Sequence, residues 1–419
     1  MSPLITDSAT PKTAPTALLI AKNWPEPAST AAGRRTLDVL DLIRESGYRV
    51  EIASPAESTP FQADLNALGY PTHSIEVNDD GFDAWVRALD PALVIYDRFV
   101  MEEQFGWRVR AECPEAMTLL DTSDFHSLRE ARHRALKTGQ PLDLFNDTAL
   151  REVAAMARCD LVLMISRVEI ELLQREFQIP TDRLLYLPFL VRTLPEPADW
   201  QRFEDRTHLV MIGGFKHAPN RDAVQWFQRA VWPRVRKQLP EVECHVYGAY
   251  ADHAVQQWHS PKTGFLIKGR AADALETLSR YRINLAPLRF GAGQKGKILE
   301  GWLSGTPTVT TPIGAEAMAP PGDWGYPISD RPDRMAETLV SLYRDKQRWT
   351  EVQGRGLDAL KSGFSHQHHS GGFIQRLRTV AGRLSEHRHR NIWGRLLWHN
   401  QYRATEYMSR WIEAKNRNA

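Results

Sequence analysis

A short apolar run at 17–21 is followed by a loop at 23–33 punctuated by Pro and Gly. A run of that length bounded by turn residues predicts a buried strand. From 34 to 46, Leu37, Leu40 and Ile43 recur at helical spacing, and Gly47 ends the pattern. Runs at 49–53, 93–96, 117–120 and 161–165 predict further strands. Thr59 and Pro60 read as an N-cap followed by a first-turn proline. Ser166 and Glu169, directly after the 161–165 run, read as a capping box, each side chain serving the other's backbone. Strands alternating with helices predict a parallel sheet covered by helices, an α/β arrangement.

Residues 191–206 break the alternation with Pro195, Pro197 and clustered charges, and read as an interdomain linker. Strand patterns then resume at 208–212, 244–247, 284–288 and 308–310, with helical ones at 220–231, 275–281 and 297–303. The expected organisation is a disordered polar start at 1–15, a first domain at 16–190, the linker, a second domain at 207–375 and a tail at 376–419. Two Rossmann-like domains facing across a cleft would place ligands beyond the carboxyl ends of their strands.

Composition narrows the class without deciding it. At 42% apolar and 25% charged, the chain is that of a folded soluble protein. A net charge of +2 gives no field for nucleic acid. Cys113, Cys159 and Cys244 lie far apart and are odd in number, which fits a reducing compartment better than a disulfide frame. No stretch reaches the roughly 18 apolar residues of a spanning helix, and the start lacks a secretion signal, so the cytoplasm is the expected location. Residues 385–419 hold Trp393, Trp398 and Trp411 with seven Arg/Lys against three Glu. Their apolar residues recur at helical spacing. One reading is a helix packed back on the domains; the other is peripheral contact with an anionic membrane.

The segment at 284–309 carries the most chemistry. A strand leads into a loop with Gly291, Gly293, Gln294 and Lys295, and a helix follows from about Gly296. Glycines let the backbone approach a ligand, and helix-start amides attract phosphate. Lys295 and Lys297 add charge, and Glu300, one turn on, suits a ribose diol. The same loop fits G-x-G-x-x-G at Gly291, Gly293 and Gly296, with Glu316 downstream, so a nicotinamide or flavin oxidoreductase is an alternative. A dinucleotide fingerprint belongs to the first strand–turn–helix of its domain, and this loop comes late in the second. His366, His368 and His369 follow Ser365, an N-cap, and read as a surface helix turn; no metal site is expected.

Several motifs occur in order between 208 and 318: Met211-Ile212-Gly213-Gly214-Phe215, then His217-x-Pro219-Asn220, Val246-Tyr247-Gly248, Ile267-Lys268-Gly269-Arg270, the 291–300 loop and Gly305-Thr306-Pro307. Together they resemble the donor lobe of glycosyltransferase family 4, retaining enzymes of the GT-B fold. The first half resembles the acceptor lobe more loosely, through its 25–33 loop and the segment at 121–126. The resemblance implies a retaining glycosyltransferase, expected to be metal-independent and to need no cofactor. It would move a sugar from a nucleotide diphosphate donor to a glycan or lipid-linked acceptor, in glycan, polysaccharide or glycolipid assembly. It also implies site residues. Gly213, Gly214, Gly291, Gly293, Gln294, Lys295 and Lys297 would meet the phosphates, Glu300 the ribose, and Gly269 and Arg270 the base. His126 and Lys295 would lie at the reacting centre. The chain departs from the family's pattern at Ala292, where a Glu is usual, and at Gly214 and Pro219, which align with an Arg and a Lys. Lys295 and Lys297 are expected to take over the neutralising charge. The missing Glu leaves a catalytically inactive nucleotide-binding scaffold as a further alternative. No Asp-x-Asp pair occurs, which fits protein cations in place of a metal.

Overall fold

The computed structural model of the chain describes residues 14–400 and 402–417. The expected disordered start lies outside them apart from its last two positions. The first lobe is a seven-stranded sheet made of β1 (Thr16–Ile20), β2 (Arg49–Ser54), β3 (Thr72–Ser74), β4 (Leu93–Asp97), β5 (Met117–Asp121), β6 (Leu161–Met164) and β7 (Leu184–Tyr186). Their spatial order is β3-β2-β1-β4-β5-β6-β7, and every pairing is parallel. The second lobe holds β8 (Thr207–Ile212), β9 (Cys244–Tyr247), β10 (Phe265–Gly269), β11 (Tyr281–Ala286) and β12 (Thr308–Thr310), ordered β10-β9-β8-β11-β12 and again parallel.

Both faces of the first sheet are buried, which is why its strands read as unbroken apolar runs. Within β1, Leu18 and Ile20 join the core on one face, while Ala17 and Leu19 join the core on the other. The helix Ala31–Glu45 covers the second face, capped by the Thr30 hydroxyl accepting from the Gly33 amide. The expected helix at Thr59-Pro60 is a turn instead. The pattern at 275–281 resolves into the helix Ala274–Ser279 and the start of β11.

The linker is docked rather than loose. Arg206, fully buried, donates to the Ser304 carbonyl (3.0 Å) and the Thr306 hydroxyl (2.6 Å), and Trp200 donates to the Leu303 carbonyl. A bridge between Val191 and Ser365 marks where the chain crosses back to the first lobe. The helix His366–Ala381 buries Phe373, Leu377 and Val380 against that lobe's sheet. The later tail stays on the same lobe: Arg388 pairs with Asp160 (2.8 Å), and Trp398 donates to the Arg158 carbonyl (3.1 Å).

Candidate active site between the lobes

In the second sheet the chain builds outward from β8 to β9 and β10, then returns to its other side as β11. The loops leaving β8 and β11 therefore diverge, opening a crevice at the carboxyl ends of those strands. Gly213, Asn220, Tyr247, Pro287 and Lys297 line it. A Cβ at Gly213 would lie 2.7 Å from Asn220 Nδ2 and 2.8 Å from Lys297 Nζ, so a side chain there would displace the tips of both. Asn220 Nδ2 donates to the Gly214 carbonyl (2.9 Å), and Lys297 Nζ donates to Asn220 Oδ1 (2.5 Å). Burial pushes the Lys297 ammonium down to about 8; Glu300 opposes that shift and Lys295 adds to it. Among the described residues no carboxylate stands within ion-pair distance of this ammonium. A cation so placed gains from an incoming anion.

Glu300 sits one turn along the helix Gly296–Leu303, half-buried. Burial raises its pKa, with Arg34 and Lys297 pulling the other way. Among the described residues nothing hydrogen-bonds its carboxylate, which leaves both oxygens free to accept from a vicinal diol.

The 287–295 loop is held by the opposite lobe. Ala292 is buried within the first lobe's apolar core. Gly293 (φ 63°) packs so closely that a Cβ would meet Asp124 Cβ at 2.9 Å and Ile165 Cγ2 at 3.2 Å. Its amide donates to Glu169 Oε1, while Glu169 Oε2 is buried with no partner. Burial, with the Asp124 charge, lifts the Glu169 carboxyl well above the ordinary range; the Gly293 amide and Lys295 only partly offset this. Arg132 donates to the Gly291 carbonyl (2.7 Å) and forms a bidentate pair with Glu316 (2.7 and 2.8 Å). His133 stacks on Phe290 at 4.2 Å. Gln294 accepts from the Phe189 amide (2.9 Å) and donates to the Ala317 carbonyl (3.0 Å). Lys295 is buried with its ammonium turned onto the loop's own Ala292 and Gly293 carbonyls.

The first lobe contributes a charged wall at its own switch point, where β1 and β4 adjoin. The Lys22 amide donates to Asp97 (3.1 Å), and Ser123 Oγ donates to the same carboxylate (3.5 Å). Arg98 (φ 73°) and Ser123 (φ 61°) hold left-handed conformations at the ends of β4 and β5, a strain that collects at functional sites. His126 opens the helix His126–Thr138, with Nδ1 3.1 Å from the Asp124 carbonyl and 3.4 Å from a Glu152 oxygen. Burial raises the Asp124 carboxyl, but His126 and its ion-pair partner Arg129 outweigh that and hold it below the usual range.

At the far end of the crevice, Gly269 (φ 75°) ends β10 and Arg270 reaches across to the first lobe. There it donates to Ser29 Oγ (3.3 Å) and lies over the Phe61 ring. Tyr250 donates to Glu26 beside it. The structure thus brings Gly213 and Lys297 together at one crevice, with Gly214 tied to it through Asn220 and Glu300 one helical turn beyond Lys297. It places Gly291, Gly293, Gln294 and Lys295 in the loop that joins the lobes, and His126 on the facing wall. Lys22, Asn220, Arg129, Arg132 and Glu169 complete the arrangement. Of these, Asn220 stood inside a quoted motif and Glu169 had been read as a cap. His366 pairs with Glu45 and His369 contacts the Gly363 carbonyl; no metal-holding cluster occurs among the described residues. Glu316, the acid a dinucleotide site would require, is engaged by Arg132.

Residues 206–345 match the family described as Glycosyl transferases group 1. No curated protein matches the chain in sequence. Its fold is similar to that of Anabaena HepE solved with UDP and glucose, at a TM-score of 0.65 and 12% identity over 87% of this chain and 99% of that one. The pneumococcal O-GlcNAc transferase GtfA, solved with UDP and GlcNAc, gives 0.64 and 12% over 88% and 99%. A glycosyltransferase from Rickettsia africae gives 0.63 and 11% over the same shares. Residues 206–345 are thus a group 1 glycosyltransferase domain, carried by a chain with the GT-B fold.

Proposed function

We propose that this chain moves a sugar from a nucleoside diphosphate to an acceptor hydroxyl, with retention and without a metal, in the cytoplasmic assembly of a glycan, polysaccharide or glycolipid. The observation that carries the reading is the Lys297 ammonium, half-buried without a carboxylate partner at the switch point, one turn from a Glu300 carboxylate that nothing engages. The donor phosphates lie against Gly213, Gly214 and Lys297, the ribose against Glu300, and the base toward Gly269 and Arg270.

Cleavage of the bond from anomeric carbon to phosphate oxygen leaves negative charge on the diphosphate. Cations fixed in a site that excludes water stabilise that charge as it develops, at roughly 2.7–4 kcal/mol for each well-placed donor. The acceptor oxygen bonds to the anomeric carbon on the face the diphosphate leaves, and its proton passes to the departing phosphate oxygen. Lys295 acts from within the loop, its charge held against the Ala292 and Gly293 carbonyls, and His126 faces the sugar from the opposite wall. The relatives solved with UDP make UDP-sugars the first donors to try. The test is a thermal-shift screen across nucleotide sugars followed by assay of nucleoside diphosphate release. A stabilising donor that is slowly hydrolysed is expected. Binding without any release would identify an inactive scaffold, and stabilisation by NAD or FAD alone would refute the reading.

A further inference from the structure

The tail inverts the usual rule for surface helices. An amphipathic helix ordinarily buries its apolar stripe and turns its polar face to water. In the helix Tyr402–Arg417 polar residues face the protein: Ser409 is buried, and Glu413 pairs with the buried Arg108 of the first lobe; the helix Ile392–Asn400 turns Gly394 and Trp398 inward. Ile392, Trp393 and Leu396 on one helix, and Tyr407, Met408 and Trp411 on the next, are 48–67% exposed. Each trio has the same i, i+1, i+4 spacing, so each forms one stripe. The two helices contact one another, so the two stripes lie on adjoining helices.

Charge identifies what covers this surface. Arg395 and Arg410 flank the two stripes, and Lys415 lies with its ammonium 5.5 Å from the Trp411 ring, on the same face as Tyr407 and Met408. Trp and Tyr beside Arg and Lys is the composition of a helix lying at a lipid headgroup layer. Among the described residues no helix is long and apolar enough to cross a membrane, so contact would be lateral. We infer that this helix pair is a docking surface for a bilayer rich in anionic lipid, through which the first lobe is held at a membrane face. The inference stands independently of which sugar is moved.

The full chain would be floated with vesicles of pure phosphatidylcholine and with vesicles enriched in phosphatidylglycerol. Binding to the second and little to the first is expected. Each cation near the surface contributes about fivefold, so Arg395→Glu with Lys415→Glu should weaken binding by at least about 25-fold, as should added salt. Trp393→Ser with Trp411→Ser should weaken it by about tenfold or more. Both residues are exposed, so melting temperature and turnover on a water-soluble acceptor should stay unchanged. The inference is overturned if anionic vesicles do not bind, or if either double variant binds as the parent does. Self-association without lipid that the tryptophan substitutions abolish would also overturn it, by showing that a second copy covers the face.

Discussion

Gly293→Ala should force the lobes apart while leaving each lobe folded. The added Cβ would sit 2.9 Å from Asp124 Cβ, 3.2 Å from Ile165 Cγ2 and 3.4 Å from the Ser123 carbonyl, all in the first lobe. Carbon pairs rest at about 3.5–4.0 Å, so relief requires a displacement of roughly half an ångström to one ångström. None of the three neighbours is the free end of a flexible chain. The shift breaks the Gly293 amide bond to Glu169 and lengthens the Arg132 bond to the Gly291 carbonyl. Stranding the buried amide and carboxyl costs about 1.5–3 kcal/mol, which lowers the closed population by about ten- to a hundredfold. The left-handed backbone at Gly293 costs a further 1–2 kcal/mol or so, but that strain is not specific to closure. Gly139→Ala measures it alone, since Gly139 has φ 68° with nothing within 4 Å of a Cβ. Small-angle scattering and calorimetric titration of nucleoside diphosphate read the outcome. Gly293→Ala should show a larger radius of gyration and at least tenfold weaker affinity, while Gly139→Ala changes only stability. Identical scattering and affinity in the two variants would refute the claim that the loop closes the lobes.

Glu300→Ala should weaken nucleoside diphosphate binding by about 1–3 kcal/mol, the cost of leaving a diol unpaired; unchanged calorimetric affinity would remove Glu300 from the ribose. In a double-mutant cycle, Arg132→Ala and Glu316→Ala should couple by about 1 kcal/mol in donor affinity, as a half-buried bidentate pair does. Asp38, with Oδ2 buried and unpaired, has a carboxyl pushed up to about 7 by burial, against the pull of Arg192 and Arg34. A carboxyl raised in the folded state favours folding while protonated. That stability is fully present below the unfolded value of about 3.9 and is lost as pH rises through about 7. Melting temperatures across this range should therefore flatten in Asp38→Asn.

How much of this was legible follows from the range of each interaction. Strands β1, β4, β5 and β6 were read directly because burial on both faces leaves apolar runs that need no partner to recognise. Strands β3 and β7 are three-residue edges without such a run and were not read. The loop at 291–300 was legible because glycines, lysines and a helix start lie together in sequence. Glu169 shows where local reading stops. Ser166 does cap the Glu169 amide at 3.2 Å, as the motif predicts, but the carboxylate turns away to a backbone amide in the other lobe. Arg132 and Glu316, 184 residues apart, carry no mutual signal in one sequence. The departure at Ala292 was visible, but its reason is tertiary: the position is buried in the first lobe's core, where a Glu would be stranded.

A structure of the chain with a bound nucleoside diphosphate tests the central claim most directly. The account predicts phosphate oxygens within hydrogen-bonding distance of the Lys297 ammonium and the Gly213–Gly214 backbone, with the ribose hydroxyls on Glu300. A nucleotide seated elsewhere, with that crevice still occupied only by Asn220 and Lys297, would contradict it.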